Sequence, residues 1–527
     1  MPEQHWIADL GDGRYRNPVL FADWSDPDVI RVGADYYLVA SSFNRVPGLP
    51  VLHSTDLVNW RILTHALDRL VPEEHYATPR PGCGVWAPSI RYHDGLFHIC
   101  FPDPDHGISV TTARDPAGPW RAPTLVLPGR GLIDRCPLWT DDGAAYLVHA
   151  WARSRCGFNN RLTVRRMTPD LSRPLDEEGT VLVDGDAIPG CRTLEGPKWY
   201  HRDGWYWIFA PAGGVANGWQ YALRSRQVWG PYEARVVLAQ NATDVNGPHQ
   251  GAWVDTPDGE EWFVHFQDRG AYGRVVHLQP VRHRAEGWPV IGTDDGTGRG
   301  TPVATHTKPG AAGKKSVPHA PACADRFANG RPGPQWTWPA NPRPGWIARA
   351  EEPGTLRLSC RPAAAPDLRT VPNVLGQRLP GPRARITTGV RLRADDPGAH
   401  AGVVVLGHAY AWAGLERTPD GVRLVHRVHE GRAGDPVPHP GPAPESAPGV
   451  DLPADAHVRL AVTITDGAVV RFAADVDGTG WRELGEPFTA APGGWVGATL
   501  GLFATASPGS PHAAGVADFD PFDVHPA

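Results

Sequence analysis

Three carboxylates stand at equivalent points of a repeated unit: Asp26 directly before Pro27, Asp134 before Arg135-Cys136-Pro137, and Glu195 before Gly196-Pro197. Two further copies place Trp86 and Ala87 before Pro88, and His249 after Pro248. Carboxyl groups gathered in this way suit hydrolysis of a glycosidic bond, which needs one carboxylic acid to protonate the departing oxygen and one carboxylate to activate water or attack carbon. A third carboxylate nearby keeps the acid protonated near neutral pH, because like charges resist forming side by side. Taken singly, Asp26 reads as a turn aspartate before proline, Asp134 as a solvated loop charge and Glu195 as a surface glutamate. Only a shared position in a fold turns them into a site.

The unit that would place them recurs about every 50 to 60 residues as a short strand, a turn and an aromatic-rich strand. Its copies are Asp26–Ile30 with Asp35-Tyr36-Tyr37-Leu38, Ala87–Ile90 with Asp94-Gly95-Leu96-Phe97, Cys136–Trp139 with Asp142–Tyr146, Gly196–Trp199 with Asp203-Gly204-Trp205-Tyr206, and Gln250–Trp253 with Asp258–Trp262. Asp-Gly favours the turn whose twist matches antiparallel strands, so each copy reads as a hairpin whose first strand begins near a proline. Segments such as Ser54–Trp60, Ala113–Trp120 and Ser225–Tyr232 read as turns ahead of an outer strand. Sheets of about four strands repeated radially form a propeller whose innermost strands surround a channel. Five copies therefore predict an all-β, five-bladed β-propeller over residues 1–299, with the prolines and their neighbours converging at one mouth. A sandwich or solenoid with chance Asp-Gly turns is the plainer alternative.

Composition narrows the function classes. A chain of 527 residues exceeds what one hydrophobic core usually serves, so two domains are expected. The 21 Trp, 60 Gly and 56 Pro suit a turn-rich β protein, and a net charge of −6 from mixed charges offers no footprint for nucleic acid or an anionic membrane. Seven scattered cysteines without a Cys-x-x-Cys pair read as thiols, Cys136 near the site included, rather than as disulfides or a zinc site. The N-terminus lacks the pattern of a secretory signal, so a cytoplasmic location is expected.

In order along the chain, Asn17-Pro18-Val19-Leu20, Asp26-Pro27-Asp28, Ser42-Phe43 with Pro47-Gly48, Val85-Trp86-Ala87-Pro88, Leu132-Ile133-Asp134, Leu194-Glu195-Gly196-Pro197, Gly247-Pro248-His249-Gln250-Gly251 and Tyr272-Gly273-Arg274 resemble glycoside hydrolase family 43, the β-xylosidases and α-L-arabinofuranosidases built on five-bladed propellers. The resemblance implies Asp26 as general base, Glu195 as general acid and Asp134 as the residue that orients Glu195 and tunes its pKa, with inversion at the anomeric carbon. It also implies that Arg274 reaches sugar hydroxyls and the base, and that Phe43, Trp86 and Ala87 line the sugar pocket. A surface arginine and ordinary core aromatics are the plainer readings of those positions. His249 matches a histidine that in many relatives helps hold a hydrated central cation, usually calcium. A central calcium with His249 as metal ligand is thus expected, with no organic cofactor. Calcium prefers oxygen, so a hydrogen-bonded core histidine stands as the alternative. Relatives often carry Pro directly after the modulating aspartate, where this chain has Arg135-Cys136, which alters the charge expected around Asp134.

Residues 300–323 show no strand or helix period and read as a linker. Beyond them, alternating stretches such as Thr355–Ser359, Ala384–Val390 and Val458–Thr463 predict an antiparallel β-sandwich over residues 324–527. Asp325-Arg326-Phe327, Gln335–Trp338 and Ala517–Asp520 look like the concanavalin-like jelly roll that caps the pocket in many such β-xylosidases. A separate carbohydrate-binding module is the alternative. A Pro-rich insert around residues 434–449 reads as a surface loop. The expected activity is exo-acting release of terminal β-D-xylose or α-L-arabinofuranose from small plant-wall oligosaccharides, with an assembly of identical chains left open. An endo-acting arabinanase and a non-catalytic sugar-binding propeller are the rivals.

Overall fold

The computed structural model describes residues 6–310, 317–363, 367–431, 449–510 and 515–527. The insert around residues 434–449 lies almost wholly outside these described residues. Five consecutive antiparallel sheets start with innermost strands Asp28–Val32, Ser89–His93, Leu132–Trp139, Lys198–Arg202 and His249–Asp255. Four of them begin directly after a proline of the repeat, whereas Leu132–Trp139 carries its proline, Pro137, within the strand. Asp94-Gly95 and Asp203-Gly204 turn with positive φ at both residues (48° and 72°, 53° and 69°), the backbone that tight hairpins of this twist require. The anticipated outer turns sit between third and fourth strands, as between Gly48–Ser54 and Arg61–Leu67 in blade 1.

Because the four main strands of every blade are consecutive, the ring closes by packing. Val29, Tyr36, Leu38 and Leu52 of blade 1 share one buried cluster with Ala252, Val254, Trp262 and Leu278 of blade 5. The segment before blade 1 clamps the seam: Tyr15 donates its hydroxyl to Leu278 O at 2.8 Å, and Leu20 bridges Val276. Among the described residues the one α-helix is the four-residue Arg153–Cys156, and no helix is long and apolar enough to cross a membrane.

The segment read as a linker is tied down where it is described. Gly300–Thr301 runs parallel to Glu233–Ala239, the outer strand of blade 4, and Thr305–Thr307 pairs with Arg14–Arg16. Lys308 reaches Asp9 and Asp56. Strand pairs between such distant segments leave no local period, which is why sequence periodicity misses them.

The second domain packs two sheets around one apolar core that includes Leu356, Ile386, Val403, Leu460, Phe472, Leu502 and Phe519. It is seated firmly on the propeller. Val46 and Trp338 exchange backbone hydrogen bonds, Asn341 bonds both backbone groups of Leu70, and Arg378 donates to Asp23 O at 2.6 Å while lying 3.6 Å over the Trp24 ring. A seam of backbone pairs and buried side chains holds one fixed relation between the domains better than a tether could.

Candidate active site

Asp26, Phe43, Trp86, Ala87, Asp134, Glu195, His249 and Arg274 all line one cavity of ≈ 90 Å³ at the channel mouth. Sequence reasoning named each of them; the innermost strands bring Asp26, Trp86, Ala87, Asp134, Glu195 and His249 to one mouth, Phe43 joins from the connection after Asp35–Val39 and Arg274 from the start of the third strand of blade 5. Asp26 and Asp134 both take φ of +53°, a region that costs a non-glycine residue energy and recurs at functional sites. Asp134 sits where its strand bulges between Ile133 and Cys136. Bulges re-aim a side chain, here from a blade face toward the mouth.

Asp26 is buried and faces three donors. Arg274 Nη1 lies 2.9 and 3.0 Å from its two carboxylate oxygens, and Ser25 and Ser41 donate hydroxyls to Oδ2 at 2.8 and 2.6 Å. Asp134 Oδ2 accepts the Gly196 N–H at 2.9 Å, so it fixes the turn that carries Glu195. Burial, with the Asp26 charge adding to it, pushes the Asp134 carboxyl up to about 6. Burial also pushes Glu195 up to about 8, helped by the negative charges of Asp134 and Asp26 and opposed by Arg274. One mouth thus holds a carboxylic acid that keeps its proton at neutral pH beside a carboxylate clamped by an arginine. Burial and the Arg274 charge push His249 down to about 3, so its imidazole is neutral, with Nε2 3.4 Å from Glu195 Oε1.

Aromatic rings close the cavity. Phe43 and Trp86 stand 6.1 Å apart between centroids, and Trp86 is held by a bond from Nε1 to Gly82 O. Beside them stands Trp495 of the second domain, 5.9 Å from Trp86 and 5.9 Å from the Arg274 guanidinium. Trp495 was not foreseen, nor were Asp23, Ser25, Ser41, Ile133, Val215 and Gln250. Asp23 joins the two domains at this point: Oδ1 accepts the Arg274 N–H at 3.1 Å, and Oδ2 accepts the Gly497 N–H at 3.0 Å. A tryptophan in a glycine-rich loop was the one available signal, and nothing in its spacing tied it to the propeller.

The donor set does not suit the implied calcium. His249 presents a single imidazole with both nitrogens buried and outside any hydrogen bond, whereas calcium takes about six to eight oxygen ligands. Among the described residues no three His, Cys, Asp or Glu side chains group to hold a metal ion. Cys136 is a buried thiol whose sulfur accepts the Trp199 N–H at 3.2 Å and Arg91 Nη2 at 2.8 Å, a packing role.

The model described as Glycosyl hydrolases family 43 matches residues 15–289, and that described as Beta xylosidase C-terminal Concanavalin A-like domain matches residues 324–525. A Xylanibacter ruminicola protein named "Putative beta-xylosidase" is 43% identical over 413 residues, covering 77% of this chain and 74% of its own length. The non-reducing end alpha-L-arabinofuranosidase of Bacteroides ovatus is 28% identical over 562 residues, covering 98% and 96%. The solved structure of Bacteroides ovatus xyloglucan PUL GH43B matches with a TM-score of 0.82 at 26% identity, across 98% of this chain and 100% of that one.

Proposed function

Because the chain belongs to glycoside hydrolase family 43 and is a glycoside hydrolase, we propose that it removes single terminal β-D-xylose or α-L-arabinofuranose units from oligosaccharides, with inversion of configuration. The observation that carries this reading is the mouth in which Asp26, Asp134, Glu195 and Arg274 face one small cavity with Trp86 and Trp495 in its wall. A polymer threading through would need an open groove, whereas here a ring from the second domain, Trp495, joins the wall of the cavity. A small pocket shared by both domains supports exo action over the endo-acting alternative.

In this reading Arg274, Ser25 and Ser41 hold the Asp26 carboxylate so that one oxygen can take a proton from water attacking the anomeric carbon. Glu195, protonated at neutral pH, gives its proton to the departing oxygen. Asp134 anchors the Glu195 turn through Gly196 and supplies the negative charge that keeps the acid's proton in place. The neutral His249 ring beside Glu195 packs the acid without competing for its charge. Xylopyranose and arabinofuranose offer similar hydroxyl patterns, and the names of the relatives span both sugars.

The test is hydrolysis of nitrophenyl β-D-xyloside and nitrophenyl α-L-arabinofuranoside side by side, with products followed on the matching linear oligosaccharides. Release of single pentoses from the non-reducing end is expected. Internal cleavage, or no turnover of either glycoside, would reject the proposal.

A further inference from the structure

Directly beneath the carboxylates the channel carries the opposite charge. Lys198, the first residue of the innermost strand of blade 4, crosses to blade 2, where its Nζ donates to Pro88 O at 2.9 Å and Ser89 Oγ at 2.8 Å. Arg135, beside Asp134 on blade 3, donates Nη1 to Ala87 O at 2.7 Å. Arg91 of blade 2 reaches Asp28 of blade 1 at 2.8 Å. Asp28, Arg135 and Lys198 are all 0% exposed. Two of these basic groups share one carboxylate: Asp28 Oδ2 takes the bond from Arg91 and lies 3.8 Å from Lys198 Nζ, while Arg135 makes no ion pair with it.

Buried cations are costly unless an opposite charge answers them. One carboxylate, already shared by Arg91 and Lys198, cannot also answer Arg135. Arg135 keeps Nε and Nη2 without a hydrogen-bond partner, so its charge is not consumed by a local ion pair. Burial lowers the pKa of Lys198 and pushes Arg135 down to about 9, which leaves the Arg135 guanidinium charged at neutral pH. Asp134, next to Arg135 in the chain, is the catalytic carboxylate on which both exert a downward pull. A divalent ion at this level would meet fixed positive charge, which agrees with the unsuitable donor set around His249.

We propose that Arg135 and Lys198 are positioning residues that supply, from within the chain, the positive charge beneath the catalytic carboxylates, and that hydrolysis here is independent of any metal ion. The inference rests on the roles given above to Asp26, Asp134 and Glu195. Asp134 is faced by Asp26 from the entry to blade 1, by Glu195, Lys198 and the Gly196 amide from blade 4, and by Arg135 on its own strand, with Arg91 and Asp28 one step deeper. Within that set Lys198 and Arg135 favour the ionised form of Asp134, and an ionised Asp134 keeps Glu195 protonated.

The experiment combines metal analysis and dialysis of the wild-type protein against EDTA with pH profiles of kcat/KM for wild type, Lys198→Met, Lys198→Arg and Arg135→Met. Expected are no bound divalent metal, full activity after chelation, an acid limb moved to higher pH by about half a unit or more in Lys198→Met and Arg135→Met, and a return toward the wild-type limb in Lys198→Arg. Loss of activity on chelation with recovery in calcium would overturn the inference, as would an unmoved acid limb in a folded Lys198→Met. Should the methionine variants fail to fold, the chelation result on wild type decides alone. Asp26→Ala and Glu195→Ala run in parallel separate the two readings: if both stay active the assigned roles fail, whereas if both are inactive and wild type needs metal, only the internal-cation inference fails.

Discussion

The two domains contribute to the pocket in different currencies. The propeller supplies every charged group: Asp26 and Glu195 just ahead of innermost strands, Asp134 at the bulge of another, and Arg274 at the start of the third strand of blade 5. The sandwich supplies one aromatic ring, Trp495, on a loop that reaches over the seam and is pinned through Gly497 to Asp23. Bond-breaking chemistry should therefore depend on the propeller, and the depth of the pocket on the sandwich. The division also explains why Asp23 matters, since one carboxylate holds the backbone of Arg274 on one side and the Trp495 loop on the other.

The largest effects should come from the propeller. Asp26→Ala is expected to lower kcat by about 10³-fold or more on every substrate, because water must still be activated even when the leaving group is good. Glu195→Ala should lose as much on oligosaccharides but only a small part of it on nitrophenyl glycosides, whose leaving groups need little protonation. Equal losses on both substrate types would take the acid role from Glu195. Trp495→Ala should act otherwise, raising KM by about five- to tenfold through loss of one aromatic contact while kcat changes little. A fall in kcat as deep as that of Asp26→Ala would erase the proposed division between the domains.

Smaller effects follow from titration. With Asp134 up to about 6 and Glu195 up to about 8, kcat/KM should rise through the first value and fall through the second, the pair titrating together. The same shifts have a cost. A carboxyl whose folded pKa is raised contributes stability at low pH that is lost as pH rises through the folded value. Glu195→Gln should therefore raise Tm at pH 9, by about 2 °C or more, and less at pH 5. A thermal melt series across that range checks the sign, and an equal gain at both ends would contradict it.

Legibility in the sequence followed the same boundary. Asp26, Asp134, Glu195 and His249 could be read because a repeat places equivalent residues at equivalent heights, so local pattern stands in for three-dimensional proximity. The left-handed backbone at Asp26 and Asp134 could not, since Asp tolerates it without demanding it as glycine would signal. Trp495 approaches by tertiary docking from more than 200 positions beyond Glu195, and no periodicity spans two domains. The ties of residues 300–308 to blade 4 and the N-terminal segment escaped for a related reason: isolated two- and three-residue strands carry no alternation to detect. Arg135 was visible as a departure, yet its meaning required Lys198 and Arg91 to be seen around one Asp28.

The division of labour rests on Asp26 acting on water rather than on carbon, and the anomeric configuration of the first product reports this directly. Proton NMR of a nitrophenyl β-D-xyloside reaction, recorded before mutarotation equilibrates the sugar, should show α-xylose appearing first. If β-xylose appears first, Asp26 attacks the sugar itself and the account of the mouth is wrong.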